Sequence, residues 1–287
     1  MLTKPYFLHA LSPLHAGTGQ SVEAIDLPIA RMRSMGIPFV PGSSIKGVLR
    51  DERRNLPSPE EWIAIFGPEK EGDEHAGAIV VGDARLLLLP VRSFKGVFAW
   101  VTSPLWLTLA KRDLDGAPGV PSEVPSVNGA GAKAASTTES ALVHQGKVYL
   151  EDLDLAVTDA PVLAEWGDFF AKSIAPAGHS EVFTKRFVLV DDETMSFLAE
   201  TATQVDTRIR LDADTRVVVE GALWTEESLP PESVLIGVLG ADRSRRRSTE
   251  LNPEEVMKKA LPDNETTFQF GGKATIGHGR CRFVLLR

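Results

Sequence analysis

At 287 residues the chain is long enough for one large domain or two small ones, with a substantial core. Hydrophobic residues at 43%, charged residues at 24% and a formal charge of −8 suit a soluble globular protein and argue against a simple nucleic-acid coat. The single cysteine, Cys281, excludes an internal disulfide and a multi-cysteine zinc site, and apolar runs such as LLLLPV are too short to span a bilayer.

No charged segment followed by an apolar one opens the chain, so a cytoplasmic protein with no membrane partner is expected. The charge is unevenly spread. Residues 1–50 carry five Lys/Arg against two acids, residues 271–287 carry four and no acid, and residues 243–247 hold four arginines. An acidic body with basic segments suits a protein that holds RNA along one face.

In chain order, residues 5–11 read as a strand that ends at Ser12-Pro13 and a glycine-bearing loop, His15-Ala16-Gly17-Thr18-Gly19. Asp26 follows among apolar neighbours, with no basic residue beside it, which leaves its carboxylate available for chemistry. Residues 43–56 (within PGSSIKGVLR onward) read as a helix, with Ile45, Val48 and Leu49 inward and Ser43 as N-cap. The exposed amides of its first turn together with Lys46 form a place to hold a phosphate. A second helix begins at Ser58-Pro59 with a capping-box Glu61 and stops at Gly67, with Trp62 and Phe66 read as core. Residues 69–77 form a polar loop whose His75 matches no metal-ligand spacing.

Residues 78–91 read as a buried strand with Asp83 a structural polar site, and residues 97–110 as a second apolar segment broken by Ser103-Pro104. Residues 113–140 are rich in Gly, Pro, Ala and Ser and are expected to be a long, poorly ordered excursion. Helices are expected at 160–175 and 191–200, with strands at 186–190, 205–211, 216–224 and 233–239. A short helix after Asn252-Pro253 precedes strands at 266–270 and 280–286. Short helices interleaved with strands, without regular βαβ repeats, indicate an α+β fold in a single domain over 1–287.

Between the last strands lies GGKATIGHGR, which fits neither a dinucleotide fingerprint nor a P-loop. Its glycines, Gly271, Gly272, Gly277 and Gly279, allow backbone amides to approach phosphate, with Lys273, His278 and Arg280 as further donors. PGSSIKG and GGKATIGHGR together resemble the RAMP superfamily of CRISPR RNA-binding proteins. DARLLLLPVRSFKGVFAWVTSPL and GALWTEESLP narrow the resemblance to the backbone ribonuclease subunits of type III-B (Cmr) effector complexes.

That resemblance implies a ferredoxin-like (RRM-like) core with insertions and an endoribonuclease acting within a ribonucleoprotein. It implies a CRISPR guide RNA, a paired single-stranded target RNA, further copies stacked head to tail and other Cmr subunits as partners. It places Ser43, Ser44, Lys46, Arg50 and the glycine loop on guide RNA. Asp26 becomes the catalytic residue and the contact for a divalent metal (Mg²⁺ or Mn²⁺), with His15 and Glu227 near the reaction. The open alternatives are a non-catalytic scaffold subunit and a nuclease that processes CRISPR transcripts through His15 or His278. A small-molecule enzyme using the glycine loop stands further off.

Overall fold

The computed structural model describes residues 1–21, 24–55, 58–68, 75–128, 131–175 and 178–286. The fold is mixed α+β, built on a twelve-stranded sheet that leaves a separate two-stranded hairpin. Its first strand, β1 (Leu2–Ala10), alternates as a strand with both faces covered should: Tyr6, Leu8 and Ala10 enter one core, Phe7 the other.

From β1 the chain doubles back through residues 11–38 to β2 (Phe39–Val40) and α1 (Gly42–Glu52). Helix α1 is capped by Pro41 without a side-chain bond, so Ser43 lies inside the first turn and is not the N-cap. Gly42 occupies N1 because a Cβ there would overlap the Val81 carbonyl, and its amide donates to Asp83 Oδ1 at 2.7 Å. Asp83 is thus the structural site expected, and it uses one of the helix's first free amides.

Helix α2 (Pro59–Phe66) starts at Ser58, whose hydroxyl accepts from the Glu61 amide. Glu61 turns to Lys259, 2.8 Å away, and does not close a capping box. Trp62 and Phe66 are buried, and the Arg50 guanidinium lies 4.6 Å above the Trp62 ring. Of the polar loop expected at 69–77, residues 69–74 lie outside the described residues.

Next come β3 (Ile79–Val81), β4 (Ala84–Ser93), β5 (Val97–Thr102) and α3 (Pro104–Asp113), the last started by Ser103. The stretch 113–140 departs from expectation. Val120, Val124 and Val127 pack on one core, the Trp166 indole N–H donates to Glu123 O at 2.8 Å, and Ala134–Ser136 form β6, a buried strand. Sequence misreads this segment because Ala and Ser are weak strand formers. Here two flanking strands supply the backbone partners, and all three residues are buried.

Those flanking strands are β8 (Leu153–Asp159), paired on its other edge with β7 (Lys147–Leu150), and β9 (Phe187–Val190). Before β9 come α4 (Val162–Ile174) and α5 (Ser180–Thr184), and after it α6 (Asp192–Thr201). The two-stranded hairpin is β10 (Gln204–Leu211) with β11 (Val218–Ser228). The chain then re-enters the sheet as β12 (Val234–Ala241), crosses by α7 (Pro253–Ala260) and ends with β13 (Glu265–Gln269) and β14 (Arg280–Leu285).

The middle of the sheet reads β14-β1-β12-β4, antiparallel throughout. Helices α1, α2, α6 and α7 contribute to one core, α4 and α5 to the other, and α3 to both. No helix among the described residues is long and apolar enough to cross a membrane.

Candidate functional site

The site forms where β1 and β12 meet the loops at one end of the sheet. Two loops far apart in sequence are stitched to β11 there. The Asp26 loop lies beside β11 as a short parallel addition: Leu27 N donates to Thr225 O at 3.1 Å, and Glu227 N donates to Leu27 O at 3.0 Å. Among the described residues, the Asp26 side chain is held by one, Thr225. The Thr225 amide and hydroxyl donate to Asp26 Oδ2 at 2.8 and 2.9 Å, and the Asp26 amide donates to Thr225 Oγ1 at 3.0 Å.

Asp26 is exposed, and the Thr225 amide first, then its hydroxyl, hold the carboxyl below the usual range. Its carboxylate is ionised at neutral pH and open to solvent, with Oδ2 committed to Thr225.

Glu227 stands differently from the expected reacting group. Strand β11 runs on to Ser228, four residues beyond its expected end, so Glu226 and Glu227 lie on a strand and only 2% exposed. The Glu227 carboxylate accepts from Arg31 Nη2 at 2.5 Å, the Ile29 amide at 3.0 Å and the Thr203 hydroxyl at 2.9 Å. Arg31 also donates to Ala199 O and Gly36 O. A carboxylate so surrounded braces the Asp26 loop and has no face left for a substrate. His15 is buried too, with Nδ1 2.6 Å from Glu227 O, so Nδ1 carries the proton and donates. Its ring packs where a Cβ on Gly17 would stand.

The C-terminal glycine loop closes over His15. The Gly272 amide donates to His15 O at 3.0 Å, that of Gly279 to Pro13 O at 2.7 Å, and that of Gly277 to Ala274 O at 3.0 Å. These three amides are therefore committed to backbone rather than turned toward a phosphate, as the sequence suggested. Gly279, with φ +81°, has no room for a Cβ, which would overlap the Phe270 carbonyl; Gly277, with φ +86°, faces open space. Gly279→Ala should cost at least ~2 kcal/mol in thermal unfolding, and Gly277→Ala only about 1 kcal/mol. Equal melting temperatures for the two variants would contradict this packing role.

Lys273 points back into the fold, 2.6 Å from Glu226 Oε1. Glu226 also accepts from the Trp224 indole at 2.6 Å and lies 3.6 Å from Arg208. Burial opposes its charge, but Lys273 and Trp224 prevail and hold the carboxyl low. His278 is buried with Arg208 3.5 Å from Nε2; burial, then Arg208, lower its pKa, so the ring is neutral at pH 7.

On α1, Ser43 and Ser44 are exposed and Lys46 is half-buried, with no ion pair to any described residue. Burial and then Arg50 lower the Lys46 pKa. Arg280 is exposed at the start of β14. Arg243, Arg245 and Arg247 are exposed at the opposite end of β12, as expected of the RSRRR run.

Thr225, Arg31 and Arg208 are the participants that sequence reading missed. Arg31 had a faint signal, five residues after Asp26 in the same run; Thr225 had none. Among the described residues no three His, Cys, Asp or Glu side chains come together to hold a metal.

Comparison with known proteins places this geometry. The model of the RAMP superfamily matches residues 7–282. The CRISPR system Cmr endoribonuclease Cmr4 of Pyrococcus furiosus is 34% identical over 97% of this chain and 94% of its own length. The crystal structure of oligomeric Cmr4 from Pyrococcus furiosus superposes with a TM-score of 0.74 at 27% identity, covering 100% of this chain and 98% of that one. A chain in a cryo-EM structure of the type III-B Cmr-beta bound to cognate target RNA shares the fold, with a TM-score of 0.75 at 23% identity over 99% and 97% of the two chains.

Proposed function

The chain belongs to the RAMP superfamily, and from that premise we propose that it is a guide-RNA-binding backbone subunit of a type III-B (Cmr) complex and an endoribonuclease that cuts guide-paired target RNA. The observation that carries this reading is the exposed, ionised Asp26 carboxylate, fixed on β11 by Thr225, while Glu226 and Glu227 on the same strand are buried and paired. The relative named an endoribonuclease, 34% identical along nearly the whole chain, supports it. The path β14-β1-β12-β4, with α1 and α7 as crossovers, supports a ferredoxin-like core. The oligomeric form of the Pyrococcus furiosus protein supports stacking of copies, and kinship with a protein of a CRISPR system supports a cytoplasmic setting.

Guide RNA is held through its backbone, by the first turn of α1 (Ser43, Ser44, Lys46) and by Arg280. Lys46 is the cation best placed for this, because no carboxylate among the described residues neutralises it. Lys46→Ala should weaken guide binding alike for unrelated sequences and lower the salt slope by about one. A loss confined to one guide sequence, in filter binding at several salt concentrations, would refute a backbone contact.

A general base works best with a pKa near the working pH, and Asp26 is displaced the other way. Its carboxylate is better suited to accepting a hydrogen bond from the target's 2′-hydroxyl and orienting it, or to anchoring a cation. The donor set fits a divalent ion only as a single carboxylate contact, the mode in which Mg²⁺ keeps its waters and takes phosphate oxygens as other ligands. Such an ion, when bound, neutralises charge developing on the phosphate. Arg31 and Glu227 hold the loop against β11, and His15 fixes the Glu227 carbonyl, so these groups position rather than react.

The test is guide-loaded complex with end-labelled complementary RNA, with Mg²⁺ and with EDTA. Regularly spaced, metal-dependent cuts are expected. Cleavage of free CRISPR transcripts in EDTA would favour the processing nuclease, and no cleavage of either RNA would favour the scaffold subunit.

A further inference from the structure

The geometry points to Thr225 as the positioning residue that aims Asp26 at the target, an inference that rests on Asp26 being the group that acts. Two side chains 199 positions apart in sequence make a closed pair. The Thr225 hydroxyl accepts from the Asp26 amide and donates to Asp26 Oδ2, and the Thr225 amide donates to the same oxygen. One hydroxyl thereby fixes both the backbone and the carboxylate of Asp26. With Oδ2 held by two donors, the carboxylate presents Oδ1, and its plane cannot turn without breaking a bond.

Among the described residues no other contact reaches the Asp26 carboxylate, although the Ser21 amide donates to Asp26 O at 2.9 Å. Leu27 is tied to β11 by backbone bonds on both sides, and Glu227 anchors Ile29 and Arg31. They place the loop but leave an exposed aspartate free to rotate about its side-chain bonds. An exposed carboxylate without a partner samples several rotamers, and small misplacements of a reacting group are costly in rate. Because Thr225 lies on β11, opposite Thr207 of β10, the aim of Asp26 is set by the hairpin rather than by its own loop.

The experiment uses guide-loaded complex and measures single-turnover cleavage and target affinity for Thr225→Val, Thr225→Ser and Asp26→Asn. Valine keeps the shape and the amide but removes the hydroxyl. Thr225→Val should slow cleavage by ~10- to 100-fold with target affinity unchanged, and Thr225→Ser should restore most of the rate. If valine impairs assembly, Thr225→Ala removes the same hydroxyl without a branched side chain and carries the same expectation. Wild-type cleavage in Thr225→Val or Thr225→Ala, beside an inactive Asp26→Asn, overturns the role of Thr225 alone. Equal losses in Val and Ser overturn it as well, because packing rather than the hydroxyl would then matter. Wild-type cleavage in Asp26→Asn removes the premise about Asp26.

Discussion

Asp26→Asn should abolish target cleavage in the guide-loaded complex while assembly and guide binding stay intact. The loop will hold its place, since Leu27 is bonded to Thr225 and Glu227 through backbone alone and Asp26 is exposed. Asparagine matches aspartate in shape, and its side-chain oxygen can still accept from Thr225. In that orientation the group facing solvent becomes an NH₂, a donor where an anionic acceptor stood. The variant then neither accepts from a 2′-hydroxyl nor ligates a hard cation. Loss of an acid–base contribution alone is worth ~10²–10⁴-fold. A residual rate in that range indicates hydrogen bonding to the hydroxyl, whereas no detectable cleavage, partly restored by more Mn²⁺, indicates a metal contact. The measurement is cleavage of end-labelled target beside wild type, with native mass of the complex as the check on assembly. An active Asp26→Asn complex would move the reacting centre elsewhere, and a variant that does not assemble would give Asp26 a structural role.

Glu227→Ala should have the largest effect on stability and should lose cleavage as a consequence. The carboxylate is 2% exposed and satisfies three donors, one of them the Arg31 guanidinium. Removing it leaves the Ile29 amide and the Thr203 hydroxyl without their acceptor and Arg31 without its counter-charge. Breaking a buried pair from one side costs ~3 kcal/mol or more, which for a chain of this size lowers the melting temperature by roughly 5–10 °C. Arg31 is partly solvated and still has two backbone carbonyls, which holds the cost toward the lower end. A glutamate that acted in the chemistry would instead lose cleavage with the melting temperature unchanged. The two outcomes are separable by a thermal scan and a cleavage assay on the same preparation.

Much of the architecture was legible in the chain. Apolar alternation marked β1 and the sheet, and Ser58-Pro59 and Asn252-Pro253 marked two helix starts by the side-chain acceptor each helix needs, whereas Ser103-Pro104, read as a break in an apolar run, starts α3. PGSSIKG and GGKATIGHGR marked the family, and Asp26 stood out as an acid with no neighbour to neutralise it. These are local signals, written within a few residues of where they act.

What the sequence could not hold was the set of contacts between positions far apart along it. Asp26 and Thr225 meet because β1 and β12 are sheet neighbours, and nothing about a threonine in TEES announces that partner. The same closure turned Glu227 and His15 from expected reacting groups into buried supports, and committed the glycine-loop amides to His15 and Pro13. It also drew Ala134–Ser136 from an expected loose excursion into the sheet, between β8 and β9. Residue type fixes what a side chain is able to do, but which donor reaches it, and whether water still does, depends on burial that only the assembled sheet creates.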